Sequence, residues 1–411
     1  MSAASTAPQV SVGPGSPELR ALLSRVAAGA FAREQEAIAP YDVIEEIRAA
    51  RLGALRVPVA EGGSGASLRE LFTVLIDLAH ADANVAHILR AHYWFVELRL
   101  LDVDPKARSR WLHEVARGAI FGNAASEVGG SRAVGEFVMD TRLRRIGDQL
   151  RCTGVKYYST GSRYSDYVVV YATSEPDDER IAALVLPIDR DGLTLDDDWD
   201  GIGQRLTATG TTRLENVLVD ADEVILRPAG PAPDEPPEPS YIGAFLQLYL
   251  TAVIAGVARS VRDDAGALVR GRARTYSHAA ATVASQDPQL QQTVGEIASY
   301  AFAAEATVLA AADALDAAAE SVRDGLPDGA LARLASLRAA EAKVVVDAQA
   351  QRIAALLFDV GGASATKQSH NLDRHWRNVR TLASHNPALY KARAIGDHVI
   401  NGAALPQNGF F

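Results

Sequence analysis

The spacing of apolar residues divides the chain into two helical regions with a region of short strands between them. In residues 16–117, apolar side chains such as Leu19 and Leu22 recur at the spacing of one buried helix face. Between residues 118 and 227, apolar residues instead form short β-rich runs bounded by Gly, Asp and Pro. Long Ala-rich amphipathic stretches without a strand signal follow in residues 241–411. The pattern predicts an α+β protein in which a helical domain, a β domain and a helical bundle follow one another.

Local signals predict where several elements begin and end. Residues 1–15 are mostly Ser, Ala, Pro and Gly and predict a disordered tail. Ser67 and Glu70 form a capping box, which predicts a helix start. Residues 228–240 hold six prolines among acidic residues and predict an extended linker. The bundle helices are predicted at about 241–280, 288–324, 329–360 and 384–403.

Charge and cysteine content narrow the classes of partner and compartment. The chain has 411 residues and a formal net charge of −10, which disfavours nucleic acid and anionic membranes as partners. Its single cysteine, Cys152, excludes a disulfide within the chain and a multi-thiolate metal site. No signal peptide is recognised, and the apolar residues 241–258 are interpreted as a buried bundle helix. We therefore expect a cytoplasmic protein.

Two segments of the β domain carry candidate ligand-binding side chains. Residues 121–131 are typical of a strand that ends in a Gly turn, and residues 156–162 end a later β run with aromatic and hydroxyl side chains. Strand alternation would place Tyr158 and Thr160 on one side. An aromatic ring beside a hydroxyl suits a flat heteroaromatic ligand, because the ring can stack and the hydroxyl can hydrogen-bond.

Six motifs, in order along the chain, resemble those of the acyl-CoA dehydrogenase superfamily. The segment from Ser126 to Ser131 is similar to the Thr-Glu-Pro-x-x-Gly-Ser strand that contacts flavin in that family, and Lys156 to Thr160 is similar to its Lys-x-Trp-x-Thr strand. The remaining four lie at residues 199–211, 272–276, 359–362 and 376–378. The resemblance implies the family fold, with an N-terminal helical domain, a central β-barrel or β-sandwich and a C-terminal four-helix bundle.

The last motif departs from the dehydrogenases and resembles a narrower branch. Residues 378–396 contain no carboxylate, although many dehydrogenases carry there the glutamate that removes the substrate α-proton. Residues 373–391 are instead similar to the flavin-dependent monooxygenases typified by dibenzothiophene monooxygenase. This resemblance implies the oxygenase component of a two-component enzyme. A separate NAD(P)H:flavin reductase would supply reduced FMN or FAD, and O2 would form a C4a-hydroperoxyflavin that oxygenates sulfur, nitrogen or carbon of a small apolar substrate, aromatic or heterocyclic.

The resemblance also assigns individual residues. The two active-site histidines of the branch fall on His92 and His385, and its strand hydroxyl falls on Thr160. Arg274 is expected to hold flavin phosphate across a subunit interface of a homotetramer. The flavin-binding set that this implies is Asn123, Ser126, Ser131, Tyr158, Thr160, Arg274, Gly362 and Ala363.

Other interpretations stay open on the residues alone. His92 lies on an apolar helix stripe and fits a buried core histidine, whereas His385 fits a helix cap. Leu382 stands where the sulfur-oxidising enzyme has a further histidine, which leaves the substrate open. The competing functions are an acyl-CoA dehydrogenase or oxidase with a relocated base and a non-catalytic scaffold. No metal site is predicted.

Overall fold

The computed structural model describes residues 12–102, 105–128, 139–177, 180–226, 240–406 and 411. Within these ranges, an N-terminal group of helices, a mixed β-sheet and a C-terminal helical bundle follow one another in the predicted order. Most of the predicted tail and all but the last residue of the predicted linker lie outside the described residues. Val12 is described, and its backbone N–H donates to the carbonyl of Ala50 at 3.2 Å.

Among the described residues, the N-terminal region contains six α-helices, three of which begin at a side-chain cap, formed by Ser16, Ser67 and Asp82. The Ser67 hydroxyl accepts from the Glu70 N–H, and the Glu70 carboxylate accepts from the Ser67 N–H, which confirms the predicted capping box. The apolar stripe around His92 was expected to form one helix, but the chain breaks at Leu89. The helices are α1 Pro17–Glu36, α2 Tyr41–Ala49, α3 Leu68–Ala81, α4 Ala83–Ile88, α5 Arg90–Leu100 and α6 Pro105–Ala116.

In the described part of the middle region, eight strands form one mixed sheet. Its strands run in the order β6-β7-β3-β2-β4-β5-β8, and β1 pairs with β4 at its side. β1 and β2 run parallel to β4, and the other pairs are antiparallel. The strands are β1 Phe121–Ala124, β2 Arg142–Ile146, β3 Gln149–Lys156, β4 Tyr167–Ser174, β5 Arg180–Pro187, β6 Leu193–Leu195, β7 Thr212–Val219 and β8 Val224–Leu226.

The C-terminal region is a bundle centred on its first helix, which packs on the long second and third helices and on α3 of the N-terminal region. One predicted boundary was wrong, and one helix was not predicted. The first bundle helix ends at Arg270 rather than near residue 280. Residues 373–384 form a separate helix, which ends before Pro387. The helices are α7 Ile242–Arg270, α8 Pro288–Arg323, α9 Gly329–Gly361, α10 Asp373–Ser384 and α11 Ala388–Asn401.

Two helices, α7 and α8, are long and apolar enough to cross a membrane by length and composition alone. In α7, 78% of that apolar window is buried inside the protein, whereas in α8 the share is 28%. α7 is therefore the central core helix of the bundle, as the sequence predicted for residues 241–258.

Apolar packing joins the three regions around one junction. A large core runs from the N-terminal helices through α7, α8 and α9. A second core lies under β1, where the Phe121 ring stacks on Phe95 with centroids 4.2 Å apart and on Tyr167 at 5.1 Å. Because both cores include residues of α5 or its flanks, the sheet and the bundle are held at fixed positions on either side of that helix.

Candidate active site

A cavity opens where α5, the sheet and α7 meet. It encloses about 1050 Å³ including its open mouth, which suits a small-molecule ligand or cofactor. Every region of the fold contributes to its wall. The lining residues are Arg90, Ala91, Trp94, Asn123, Ala125, Ser126, Met139, Tyr158, Thr160, Tyr171, Leu246, Gln247 and His385.

The end of β1 is fixed to the loop that follows β3. The backbone N–H of Asn123 donates to the Ser162 hydroxyl at 3.0 Å, and that hydroxyl donates back to the Asn123 carbonyl at 3.0 Å. Gly161 takes a positive φ of 79° beside the carbonyl of Ile88, where a β-carbon would come within 2.4 Å of the oxygen. Only glycine fits this position, because any side chain would meet both backbone strain and that oxygen.

A buried ion pair holds the same two segments together. The ammonium group of Lys156, at the end of β3, donates to the carboxylate of Glu127, which follows β1. The backbone N–H groups of Asp140 and Thr141 donate to the same carboxylate. Two charged side chains that are buried away from water therefore join the two segments beside the cavity.

Tyr158 and Thr160 line the cavity together, but strand alternation is not the reason. β3 ends at Lys156, and Tyr158 adopts a left-handed φ of 57°. This conformation projects its ring outward, so that 64% of the residue is exposed. Tyr158 and Thr160 are therefore both on the cavity wall, as predicted, because of the backbone conformation after β3 and not because of strand alternation.

The Thr160 hydroxyl belongs to a chain of hydroxyl groups. Its Oγ1 lies 2.9 Å from that of Thr209, which lies 2.7 Å from that of Thr207. Thr207 donates to the Gln204 carbonyl at 2.8 Å. Since each hydroxyl carries one proton, Thr209 must donate to Thr207 and Thr160 must donate to Thr209. Thr160 therefore presents only acceptor lone pairs to a ligand in the cavity.

His385 lines the cavity at the end of α10, directly before Asn386 and Pro387. Its Nε2 lies 3.3 Å from a guanidinium nitrogen of Arg90, at the start of α5. An arginine only donates, so Nε2 is the acceptor and the proton of the neutral ring is on Nδ1. His385 is exposed at the mouth of the cavity. Nearby protein atoms still remove part of the water around its ring and, with the charge of Arg90, hold the pKa of His385 well below its usual value.

The structure does not bring His92 into the cavity, so its position gives no support to the catalytic role that the resemblance implied. The side chain is fully buried, and its Nε2–H donates to the Gly53 carbonyl at 2.9 Å. Its Nδ1 accepts from the backbone N–H of Phe121 at 3.2 Å. Burial lowers the pKa of His92 to about 4. Because both ring nitrogens bind backbone groups, His92 supports β1 from beneath and does not face a ligand.

Three predicted cofactor-binding residues lie away from this cavity, and one lies outside the described residues. Arg274 is exposed, in the segment after α7. Gly362 and Ala363 follow α9, where Gly362 has a φ of 60° and packs against Arg272 and Tyr276. The predicted contacts of these three residues with a flavin across a subunit interface remain predictions. Ser131 lies outside the described residues.

Two buried polar atoms of lining residues have no hydrogen-bond partner in the described part of the chain. They are Oδ1 of Asn123, an acceptor, and Nε1 of Trp94, a donor. Buried polar groups are nearly always paired, so both atoms are candidates for a hydrogen bond to a molecule bound beside them. The Trp94 ring stacks on Tyr171, with centroids 5.6 Å apart. A flat heteroaromatic group with donors and acceptors at its edge, such as a flavin, fits this set of residues.

Sequence reasoning missed several lining residues. Arg90 and Trp94 stand four residues apart and so share a face of α5, a signal that the apolar stripe through His92 obscured. Gln247 of α7 accepts from the side-chain amide of Asn386 at 3.0 Å, a contact between distant segments that no local pattern shows. No group of three or more metal-ligating side chains occurs among the residues that the structure describes.

These features define a flavin-dependent oxidoreductase with three regions around one cofactor cavity. Models of the N-terminal, middle and C-terminal domains of acyl-CoA dehydrogenase match residues 18–119, 122–217 and 248–388. A dibenzothiophene monooxygenase of Mycolicibacterium goodii is 30% identical over 372 residues, which cover 89% of this chain and 88% of that protein. The chain belongs to the acyl-CoA dehydrogenase family.

Two further similarities agree with the monooxygenase branch. A probable FMNH2-dependent monooxygenase, SfnC of Pseudomonas putida, is 28% identical and covers 93% of both chains. The solved structure of the methanesulfinate monooxygenase MsuC of Pseudomonas fluorescens matches with a TM-score of 0.85 and 27% identity, over 96% of this chain and all of that one. Within the family, the protein is a flavin-dependent monooxygenase that uses reduced flavin, as the sequence predicted.

Proposed function

We propose that the protein is the oxygenase component of a two-component monooxygenase. A separate NAD(P)H:flavin reductase supplies reduced FMN, and the protein uses O2 to oxygenate a small substrate with a largely apolar, aromatic or heterocyclic body. The observation that carries this proposal is the cavity, which joins Thr160 and His385 to an aromatic wall. The relative named as FMNH2-dependent supports FMN over FAD.

The lining residues suit the reduced form of the cofactor. Reduced flavin, when bound, supplies the two electrons with which O2 is activated. Thr160 offers an acceptor to an N–H group at the ring edge, which reduced flavin carries and oxidised flavin lacks at N5. Asn123 offers a second acceptor, and the exposed Tyr158 ring provides a surface for stacking. These residues together would bind the ring, orient it and favour its reduced state.

His385 is the residue that we assign to proton control. With Arg90 on Nε2, its Nδ1 holds the ring proton and can donate a hydrogen bond. The lowered pKa keeps the imidazole neutral near pH 7, so that this hydrogen bond adds no positive charge. Trp94, Met139 and Leu246 line the same space with apolar surface that excludes water from the oxygen chemistry.

The dehydrogenase alternative needs a carboxylate base near the substrate, wherever that base is placed along the chain. Among the described residues that line the cavity, none is Asp or Glu. The two α7 residues in the cavity wall are Leu246 and Gln247, and neither side chain can take a proton from carbon. The geometry and the comparisons therefore favour the monooxygenase.

We also propose that the protein is a cytoplasmic homotetramer. Large apolar side chains that a lone chain leaves in solvent support association of copies. Arg274 is exposed and free to reach a neighbouring chain's flavin. The exposed apolar residues of the bundle include Phe302, Leu389, Tyr390, Val399 and Ile400. Sedimentation at micromolar concentration should give a tetramer, and a fully active monomer would contradict this proposal.

Anaerobic titration with reduced FMN, reduced FAD and the oxidised forms, followed by an oxygen pulse, tests the function. We expect the purified protein to be nearly colourless, to bind reduced FMN more tightly than oxidised FMN, and to consume O2 only when reduced flavin is present. A protein that purifies yellow with tightly held FAD would favour the dehydrogenase. Binding of no flavin would favour a scaffold.

The substrates named for the relatives differ in charge. Dibenzothiophene is an uncharged fused heterocycle, whereas methanesulfinate is a small anion. Both are sulfur compounds, which supports a sulfur-containing substrate here as well. Since the names disagree on charge, the substrate class of this chain has to be inferred from the residues of its own cavity.

A further inference from the structure

Arg90 places a positive charge inside the cavity. It is the first residue of α5, and its side chain is half-buried in the cavity wall. Its Nε and one terminal nitrogen donate to the carbonyl of Leu246 at 3.4 and 3.3 Å, and the other terminal nitrogen donates to His385 at 3.3 Å. Of the five N–H donors of a guanidinium, three are therefore used and two are left.

None of these partners neutralises the charge. The carbonyl of Leu246 and the imidazole of His385 are uncharged acceptors, and no carboxylate lies within 4.0 Å of Arg90 among the described residues. Two other arginines of the N-terminal region that are buried do have a carboxylate partner: Arg33 pairs with Asp82, and Arg56 pairs with Glu97. Burial lowers the pKa of Arg90 to about 10, which still leaves it charged at neutral pH.

A half-buried cation without a counter-ion loses favourable hydration free energy, and a ligand with a negative charge would compensate for this loss. One part of the wall is apolar and aromatic. Trp94, four residues after Arg90, stacks on Tyr171, and Met139 and Leu246 complete this surface. The cavity thus combines an aromatic wall with one cationic end that has two spare, forked donors.

We propose that the substrate carries an anionic group, a carboxylate or a sulfur oxyanion, which Arg90 binds while the apolar body of the substrate packs on Trp94 and Tyr171. This inference rests on the proposed function and names the substrate class of the same cavity. Because Arg90 also binds His385, an anion held there would lie beside the residue that holds the proton. Arg90 therefore determines both substrate charge and substrate orientation.

The test compares two probes of nearly equal shape, benzenesulfinate and the uncharged methyl phenyl sulfoxide. Calorimetry on the full-length protein, with and without FMN, gives their dissociation constants. We expect wild type to bind the anion at least about tenfold more tightly. Arg90→Gln should abolish that preference and change sulfoxide binding less than about threefold. Arg90→Lys should keep part of the preference for the anion. Arg393→Gln, which removes an exposed arginine of α11, should keep the full preference.

Several results would overturn the inference. Equal affinity of wild type for both probes is one, and a preference that survives Arg90→Gln is another. Weaker FMN binding by Arg90→Gln with an unchanged anion preference would assign the charge to the cofactor. If Arg90→Gln does not fold, the salt dependence of wild type decides: sulfinate binding should weaken as salt rises while sulfoxide binding stays constant, and equal dependence contradicts the inference.

The two proposals fail in different experiments. Oxygen uptake with reduced FMN, measured without any probe, tests the flavin function alone. Uptake that depends on reduced FMN, combined with no anion preference, would refute the role of Arg90 and leave the monooxygenase intact. An anion preference without flavin-dependent uptake would refute the monooxygenase, and the bound anion would then not be its substrate.

Discussion

The Thr160 hydroxyl lies 2.9 Å from the Thr209 hydroxyl and donates a hydrogen bond to it, because the proton of Thr209 is donated to Thr207. The chain ends at the carbonyl of Gln204, which can only accept. The side of Thr160 that faces the cavity therefore accepts hydrogen bonds. Thr209, which does not line the cavity, therefore determines that Thr160 accepts hydrogen bonds on its cavity side.

Substitution of Thr209 tests this relationship. In Thr209→Val the proton of Thr160 is free to turn toward the cavity, so Thr160 can also donate to an acceptor such as the N5 of oxidised flavin. We expect the preference for reduced over oxidised FMN to fall about fivefold, the equivalent of roughly one hydrogen bond of 1 kcal/mol. Anaerobic titration of both redox forms measures it. Thr73→Val, on α3 away from the cavity, is the matched control, and an unchanged ratio in Thr209→Val would refute the assigned direction.

Loss of the Thr160 hydroxyl should weaken binding without unfolding the protein. Thr160→Ala removes one acceptor from the cavity, and we expect reduced FMN to bind about fivefold more weakly. The melting temperature should change little, because Thr160 is half-buried at the cavity surface. Calorimetric titration with a melting curve of the same sample separates the two effects. If binding falls only in proportion to the folded fraction, Thr160 contributes to stability and not to flavin binding, which would contradict the prediction.

His385→Ala should separate flavin oxidation from product formation. Without the Nδ1–H donor, we expect product to fall by about 10²- to 10⁴-fold while reduced FMN is still oxidised, so that the oxygen leaves as hydrogen peroxide. The ratio of peroxide to oxygenated product, at equal supply of reduced FMN, measures this. His278→Ala, which removes an exposed histidine after α7, is the control. A ratio equal to that of wild type would remove His385 from the mechanism.

His92 should govern stability rather than turnover. Its folded pKa of about 4 lies below the value of about 6.5 for an unfolded histidine, so between these pH values the unfolded chain binds more protons. The free energy of unfolding is then lost as pH falls from 6.5 to 4, by about 3 kcal/mol for this residue. Denaturant unfolding should show a smaller loss in His92→Gln than in wild type. His113→Gln, at an exposed site on α6, should match wild type, and identical pH profiles in all three would contradict the burial of an uncharged His92.

Much of the fold follows from local chemistry that the sequence shows directly. The Ser67 capping box starts α3, and the Gly147-Asp148 pair turns between β2 and β3, with Gly147 at a φ of 59°. Both signals involve residues close in the chain, so no knowledge of distant contacts is required. The late helix α10 was missed because its sequence from Asp373 is largely polar, and its buried face is formed by packing on α7 and α9.

The candidate site was less predictable because it is assembled from distant segments. Thr160 and His385 were found through motifs, and they do line one cavity. His92 lies on the same helix as Arg90 and Trp94, but it is two residues away from each of them. This spacing puts its side chain on a different face of the helix, where it contacts the backbone of β1. The direction of the Thr160 proton depends on Thr207 and Thr209, whose contacts appear only in three dimensions.

A crystal structure of the protein with FMN bound tests the central claim most directly. The account predicts that the flavin ring occupies the cavity between α5, the sheet and α7, with Oγ1 of Thr160 and Oδ1 of Asn123 within hydrogen-bond distance of its edge and the Tyr158 ring in contact with it. A flavin ring bound outside this cavity, or one that contacts neither Thr160 nor Asn123, would contradict it.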